Sequence, residues 1–308
     1  MDWKQLWQIL SAADNVPIIA MIPLLAFYIY LAGRQAFAND KLIADLSANP
    51  ALAKTHHRRT WPFRPGWQKE VHVWPFLLRV EFLAAIIVTI ILMVWSITLN
   101  APLEEPANPN LTMNPAKAPW YFLGLQEMLV YFDPWIAGVL LPSLIIVGLM
   151  IIPYVDINPK GNGYYTWSER KFAISTFLVG FLGMWVGMIT IGVFFRGPGW
   201  NLFMPWDYWD PHKVVPLTNI DLPYFVGIRS QMGAMLFGAI CVLGWLVAIP
   251  GAVWQWKKDH PFFKQLGMMR YGIVATLFMI MAGVLMKMIL RLSFNIKYVL
   301  VIPNILNI

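Results

Sequence analysis

The sequence predicts an all-α, polytopic membrane protein with about six spanning helices, and three observations carry that expectation. Hydrophobic side chains make up 58% of the 308 residues and charged ones only 13%, with a mean hydropathy of +0.58, far from the usual soluble mix. Six apolar stretches are long enough to cross roughly 30 Å of hydrocarbon at about 1.5 Å per residue. The 16 tryptophans and 11 tyrosines crowd the ends of those stretches, at Trp61, Trp67, Trp74, Trp200, Trp206 and Trp254 among others, as an interfacial belt should.

The first stretch, Val16 to Leu31, is preceded by Asp2, Lys4 and Asp14 and followed by Gly33-Arg34-Gln35 rather than by a small-residue cleavage site, so it reads as a retained anchor. From Arg34 to Val73 the chain carries Arg34, Lys41, Lys54, Arg58, Arg59, Arg64 and Lys69 against Asp40, Asp45 and Glu70, an excess that assigns this segment to the cytoplasmic side. The second stretch, Trp74 to Leu99, then leads outward. The loop after it, Asn100 to Pro134, holds Glu104, Glu105, Glu127 and Asp133 against Lys117 alone, as an outer loop should. Within it, the run Ala101 to Pro115 is a loop by its Pro, Asn and Glu content. Trp135 to Val155 returns to a mildly basic inner loop, and Phe172 to Phe195 crosses again to a balanced outer loop, Arg196 to Gln231. Met232 to Val253 crosses back to the basic inner loop Trp254 to Arg270, and Tyr271 to Leu290 makes the last crossing. Both termini are thereby expected outside, although Lys287, Arg291 and Lys297 at the carboxyl end run against the charge rule. Pro17, Pro23, Pro142, Pro153 and Pro250 lie in or at the ends of the stretches, where they kink helices unless neighbours satisfy the freed carbonyls.

Several chemistries are excluded by what the chain lacks. One cysteine, Cys241, sits mid-stretch as a packing residue and rules out an internal disulfide, a four-cysteine cluster and a Cys-x-x-Cys-His attachment. The net charge of +7 is mostly juxtamembrane, which explains it without nucleic acid. His56, His57, His72, His212 and His260 all fall outside the stretches, so no imidazole pair stands at mid-membrane depth and no metal site is expected. Phosphate-loop, zinc-protease and nucleophile-elbow patterns are absent as well.

The informative tract is Ala101-Pro-Leu-Glu-Glu-Pro-Ala-Asn-Pro-Asn110, then Asn114-Pro-Ala-Lys-Ala-Pro-Trp-Tyr-Phe-Leu-Gly-Leu-Gln-Glu127. A spanning helix ends in a Pro-rich acidic loop, followed by a Trp-Tyr-Phe turn, a short amphipathic helix and two further spans. In that order and spacing, roughly His72 to Phe195 resembles the carboxyl-terminal domain of cytochrome b, a separate chain called subunit IV in the plastoquinol-oxidising complex. The tract Arg196-Gly-Pro-Gly-Trp-Asn201 through Trp206-Asp-Tyr-Trp-Asp-Pro-His212 is similar to bacterial members in which cytochrome b is split in two.

The resemblance implies a subunit, inactive alone, of a quinol:cytochrome c or related oxidoreductase in a bacterial energy-transducing inner membrane. It implies a quinol shared with partner chains: a haem b-carrying amino-terminal cytochrome b chain, a Rieske iron–sulfur protein and a c-type cytochrome. Haem b is expected on the partner, none being ligated here. Residues 1–71 then form an anchor helix and basic segment, 72–231 the cytochrome b-like domain with three core helices, and 232–308 two additional helices. The alternative is a structural anchor for a periplasmic oxidoreductase, without quinone chemistry of its own.

The family's quinol pocket maps onto Pro119, Trp120, Tyr121, Phe122 and, further along, Tyr131. Family members usually carry Pro-Glu-Trp-Tyr, whose Glu accepts a quinol proton, whereas this chain has Ala118-Pro119-Trp120-Tyr121. Pro119 cannot take that role. If Trp120 to Phe132 is helical, Glu127 lies about two turns beyond Trp120 on nearly the same face, partly withdrawn from water and suited to replace the missing acid. The competing reading puts Glu127 on the wet side of an interfacial helix. Tyr121 is a second candidate for proton chemistry, against a plain interfacial aromatic. Arg79 and Glu81, in the first turns of the second span, either snorkel to the interface or mark an inner quinone or haem-propionate site. Lys287 is expected to snorkel.

Overall fold

Hydrocarbon offers a backbone no partners except its own carbonyls, so long apolar stretches wind into helices. The computed structural model describes residues 3–49, 51–52, 73–100, 106–158, 164–216, 218–303 and 306–308. Among these, six helices are long and apolar enough to cross a membrane: α2 (Val16–Ala48), α3 (Val73–Thr98), α5 (Ile136–Val155), α6 (Trp167–Phe195), α8 (Gln231–Lys257) and α9 (Pro261–Phe294). The shorter helices are α1 (Trp3–Ser11), α4 (Leu123–Met128) and α7 (Leu222–Phe225). An antiparallel pair of two-residue strands, β1 (Val301–Ile302) and β2 (Leu306–Asn307), closes the chain. The fold is all-α and multi-pass. Lys54, Arg58, Arg59, Arg64 and Lys69 of the basic segment, Glu104 and Glu105 of the acidic loop, and His56, His57 and His72 lie outside the described residues.

Two helices run ten or more residues past their apolar stretches. α2 continues from Leu31 to Ala48, and α9 begins at Pro261, breaking its regular winding at Gly267, whose φ of 76° suits a residue without a side chain. Pro142 and Pro250 each stand two residues past the end of a π-wound stretch, Ile136–Leu140 and Gly244–Ala248. That wider winding re-aims the carbonyl four residues earlier, with which a proline ring otherwise collides.

Chain contacts divide the molecule into two compact units. One comprises 4–110 and 163–174, hence α2, α3 and the first turns of α6. Within it, Asp40 accepts hydrogen bonds from the Ser168 backbone N–H at 3.0 Å and hydroxyl at 2.6 Å, and Asn39 donates to the Tyr165 carbonyl at 2.9 Å. These bonds hold the polar extension of α2, which hydropathy does not register. α3 has no buried residue along its length.

The other unit comprises 1–3, 111–162 and 175–308. Its apolar core gathers Met128, Tyr131, Phe132, Ile136, Met188 and Val284, so the segment after α4 packs between α6 and α9. The carboxyl-terminal strand lies against α8, where a Cβ at Gly238 would meet the Val299 carbonyl oxygen at 2.5 Å.

Candidate functional site

The site grows from a close approach of α4 to the end of α6, within the second of these units. A Cβ on Gly192 would stand 3.2 Å from the Leu123 Cβ, and one on Gly124 would stand 3.1 Å from the Ile189 Cγ1. Two glycines thus let a six-residue helix settle against a spanning one. Ahead of α4, the loop is tied down by side chains rather than by regular structure. The Gln126 amide donates to the Ala116 carbonyl and accepts from the Ala118 N–H, both at 2.9 Å. The Lys117 ammonium donates to the Val193 carbonyl at 2.8 Å and sits 4.6 Å from the Trp209 ring. Asn114 accepts from the Gly199 N–H, in the turn that follows α6.

This frame separates the expected site residues into two groups. Pro119 caps a 3₁₀ turn, Trp120–Phe122, in which the Trp120 ring meets Tyr121 edge-on and Tyr121 lies tilted against Phe122; Tyr121 is 52% and Phe122 54% exposed, and Trp120 is half-buried. Glu127 and Tyr131 lie behind the turn, at 0% and 1% exposure.

Trp120 to Phe132 is not one uniform helix. The segment winds first as 3₁₀ and then as α-helix only to Met128, so the uniform 100° step per residue assumed for Trp120 to Phe132 is lost. Nor does Glu127 lie on a wet face, being fully buried. Its partner comes from far along the chain. The Arg196 guanidinium donates from Nε to Glu127 Oε2 at 3.0 Å and from Nη2 to Oε1 at 2.6 Å, while Nη1 donates to the Trp200 carbonyl at 2.9 Å. The Tyr131 hydroxyl donates to Glu127 Oε1 at 2.8 Å. Bidentate, charge-assisted pairing of this kind is the strong form of the interaction.

The electrostatics follow from burial. Removal from water pushes the Tyr131 phenol well above the ordinary tyrosine range, and the Glu127 charge adds to it. For Arg196, burial is the largest influence and pulls the guanidinium down, but hydrogen bonding and charge from Glu127 outweigh it and leave it raised.

Tyr131, four residues after Glu127, was legible as a neighbour. The pairing with Arg196 was not, because although Arg196 opens the tract singled out in the sequence, nothing in the sequence joins it to a residue 69 positions away. Lys287 does not snorkel: it is buried on α9, donating to the Lys297 carbonyl, with the Phe132 and Tyr298 rings each 5.6 Å away. Arg79 and Glu81 stand exposed near the start of α3, in the other unit. Among the described residues, no cluster of three or more His, Cys, Asp or Glu side chains is arranged to hold a metal ion.

Residues 106–194 match the family described as Cytochrome b(C-terminal)/b6/petD. The match takes in the aromatic turn, α4, α5 and nearly all of α6, and ends two residues before Arg196. Over 125 residues the chain is 28% identical to a protein of Geobacillus thermodenitrificans named menaquinol:cytochrome c reductase cytochrome c subunit, covering 39% of this chain and 49% of that one. The chain therefore spans about half the length of that relative. No solved structure matches it.

Proposed function

We propose, from the premise that residues 106–194 are a cytochrome b C-terminal-type domain, that this chain is a membrane subunit of a quinol-oxidising cytochrome complex. Its outward aromatic turn, Pro119–Phe122, forms part of the quinol site on the outer face. The observation that carries this reading is the turn itself: half-exposed apolar rings are held at a fixed place by Gln126, Lys117 and the buried Glu127–Arg196 pair. A quinol ring is flat and apolar with two hydroxyls, and Trp120 and Phe122 suit its faces while the Tyr121 hydroxyl offers hydrogen bonding and a proton-bearing oxygen. In this conformation Glu127 does not reach an outside ligand; to take a proton directly it has to release Arg196.

Among the described residues no histidine falls within a spanning helix, so they offer no axial imidazole pair for haem b. Haem b is accordingly assigned to a partner cytochrome b chain. Quinol gives up two electrons, one to a Rieske-type protein and one to the haem-carrying chain, and its two protons leave outside. A c-type cytochrome accepts onward, as the name of the relative suggests. The division at 72 and 231, the outer position of both termini and the bacterial inner membrane belong to the same reading. Arg79 and Glu81 remain the proposed contact with an inner quinone or a haem propionate.

A second reading, a structural anchor, is favoured by Pro119 standing where a proton-accepting carboxylate is usual. Purification through a tag on this chain separates the two. A haem b chain and an iron–sulfur protein that copurify, with quinol-driven cytochrome reduction by the preparation, support quinol oxidation. A preparation that contains an oxidoreductase but neither haem b nor quinol activity supports the anchor.

A further inference from the structure

We infer that Arg196 is the positioning residue of the quinol site and that Glu127 serves it as a clamp, not as a proton acceptor. The inference rests on the quinol-oxidising reading above. The mechanical chain runs through adjacent residues of α4. Arg196 grips both oxygens of Glu127, and Tyr131 adds a third bond, so α4 is fixed against the end of α6. The neighbouring Gln126 then holds the backbone at Ala116 and Ala118, which sets the direction of Pro119 and the three rings after it. Arg196 fixes the other side as well, since its Nη1 bonds the Trp200 carbonyl, in the turn to which Asn114 is tied.

Glu127 is well suited to clamping and badly placed for acid–base work. It is 0% exposed, and its bonds already reach from two directions. Glu127 supplies the negative charge opposite the buried Arg196 guanidinium, at 2.6 Å from its Nη2. A proton arriving on Glu127 would loosen the support of the pocket it was meant to serve.

Clamp and acceptor make opposite predictions for a paired substitution. Glu127→Leu and Arg196→Met each leave a buried charge or its socket unmatched, whereas the double variant replaces the ion pair by apolar groups of similar volume, a change proteins tolerate. In the assembled complex, each single change should lower kcat/KM for quinol by about a hundredfold, as a displacement of about 1 Å can. The loss should lie mainly in KM, with the pH profile of kcat/KM unchanged. Amide hydrogen exchange over 116–132 should rise in each single variant. The double variant should be more active and more protected than either single one, and Arg196→Lys should fall between Arg196→Met and the parent.

A double variant that assembles but is no more active than Glu127→Leu, or a single variant whose pH profile shifts, overturns the inference in favour of acid–base action. If the single variants fail to assemble, recovery of assembly in the double variant supports the clamp, and continued failure overturns it. Should the parent complex show no quinol activity at all, the functional reading fails, while the exchange data still judge the clamp.

Discussion

Replacing Tyr131 by Phe removes one oxygen from the buried network and nothing else. The ring is 1% exposed and packed in the apolar core, so it stays in place and no cavity opens. What is lost is the 2.8 Å hydrogen bond to Glu127 Oε1, which keeps its 2.6 Å bond from Arg196. A hydrogen bond to a charged group contributes about 1.5–3 kcal/mol, which sets the expected loss at neutral pH. The pH dependence follows from the groups around the phenol. Burial and Glu127 raise its pKa, Arg196 opposes them more weakly, and Arg291 lies within electrostatic reach. A raised pKa means that the native state holds the phenolic proton to higher pH than the unfolded state. Its contribution is therefore complete below about pH 10, the ordinary tyrosine value, and declines as pH rises beyond it. The phenylalanine variant lacks that decline. The stability gap between parent and variant should hold constant from neutral pH to about pH 10, then narrow by about 1.4 kcal/mol per pH unit. Denaturation midpoints of the two complexes in detergent, measured across a pH series, test this. No gap at neutral pH, or a gap that widens in alkali, would refute the buried hydrogen bond.

Two further outcomes are expected. Gly192→Ala should cost about 1–3 kcal/mol by overpacking, because its Cβ would meet Leu123 at 3.2 Å, whereas Gly138→Ala, with nothing within 4 Å, should leave thermal stability unchanged or raised. Equal effects of the two changes would contradict the packing of α4 on α6. A reporter fused after Lys54 should be cytoplasmic and one fused after Asn108 exported, in keeping with the charge asymmetry; the reverse labelling would move the aromatic turn to the wrong face.

The spans were largely legible, because hydropathy measures the property that makes a helix cross a membrane. The apolar stretch Trp135 to Val155 corresponds to α5 within one residue, and Phe172 to Phe195 shares its end with α6. The continuation of α2 to Ala48 was not, since that part is polar and is held by Asn39 and Asp40 bonding to residues over 120 positions away. The aromatic turn could be read from the motif around Trp120. The face of Glu127 could not, because the sequence does not announce where 3₁₀ winding gives way to α-helix. Arg196 illustrates the remaining limit: as the first charge after an apolar stretch it looks like an interfacial residue, and only the fold brings it to Glu127.

The proposed function puts the turn Pro119–Phe122 in contact with quinol. Its most direct test is photolabelling of the assembled complex with an azido-quinone, followed by mapping of the labelled peptides. Label on the peptide containing Pro119, Trp120, Tyr121 and Phe122, displaced by excess quinol, is the predicted result. Displaceable label confined to partner chains, or none on this chain, would contradict it.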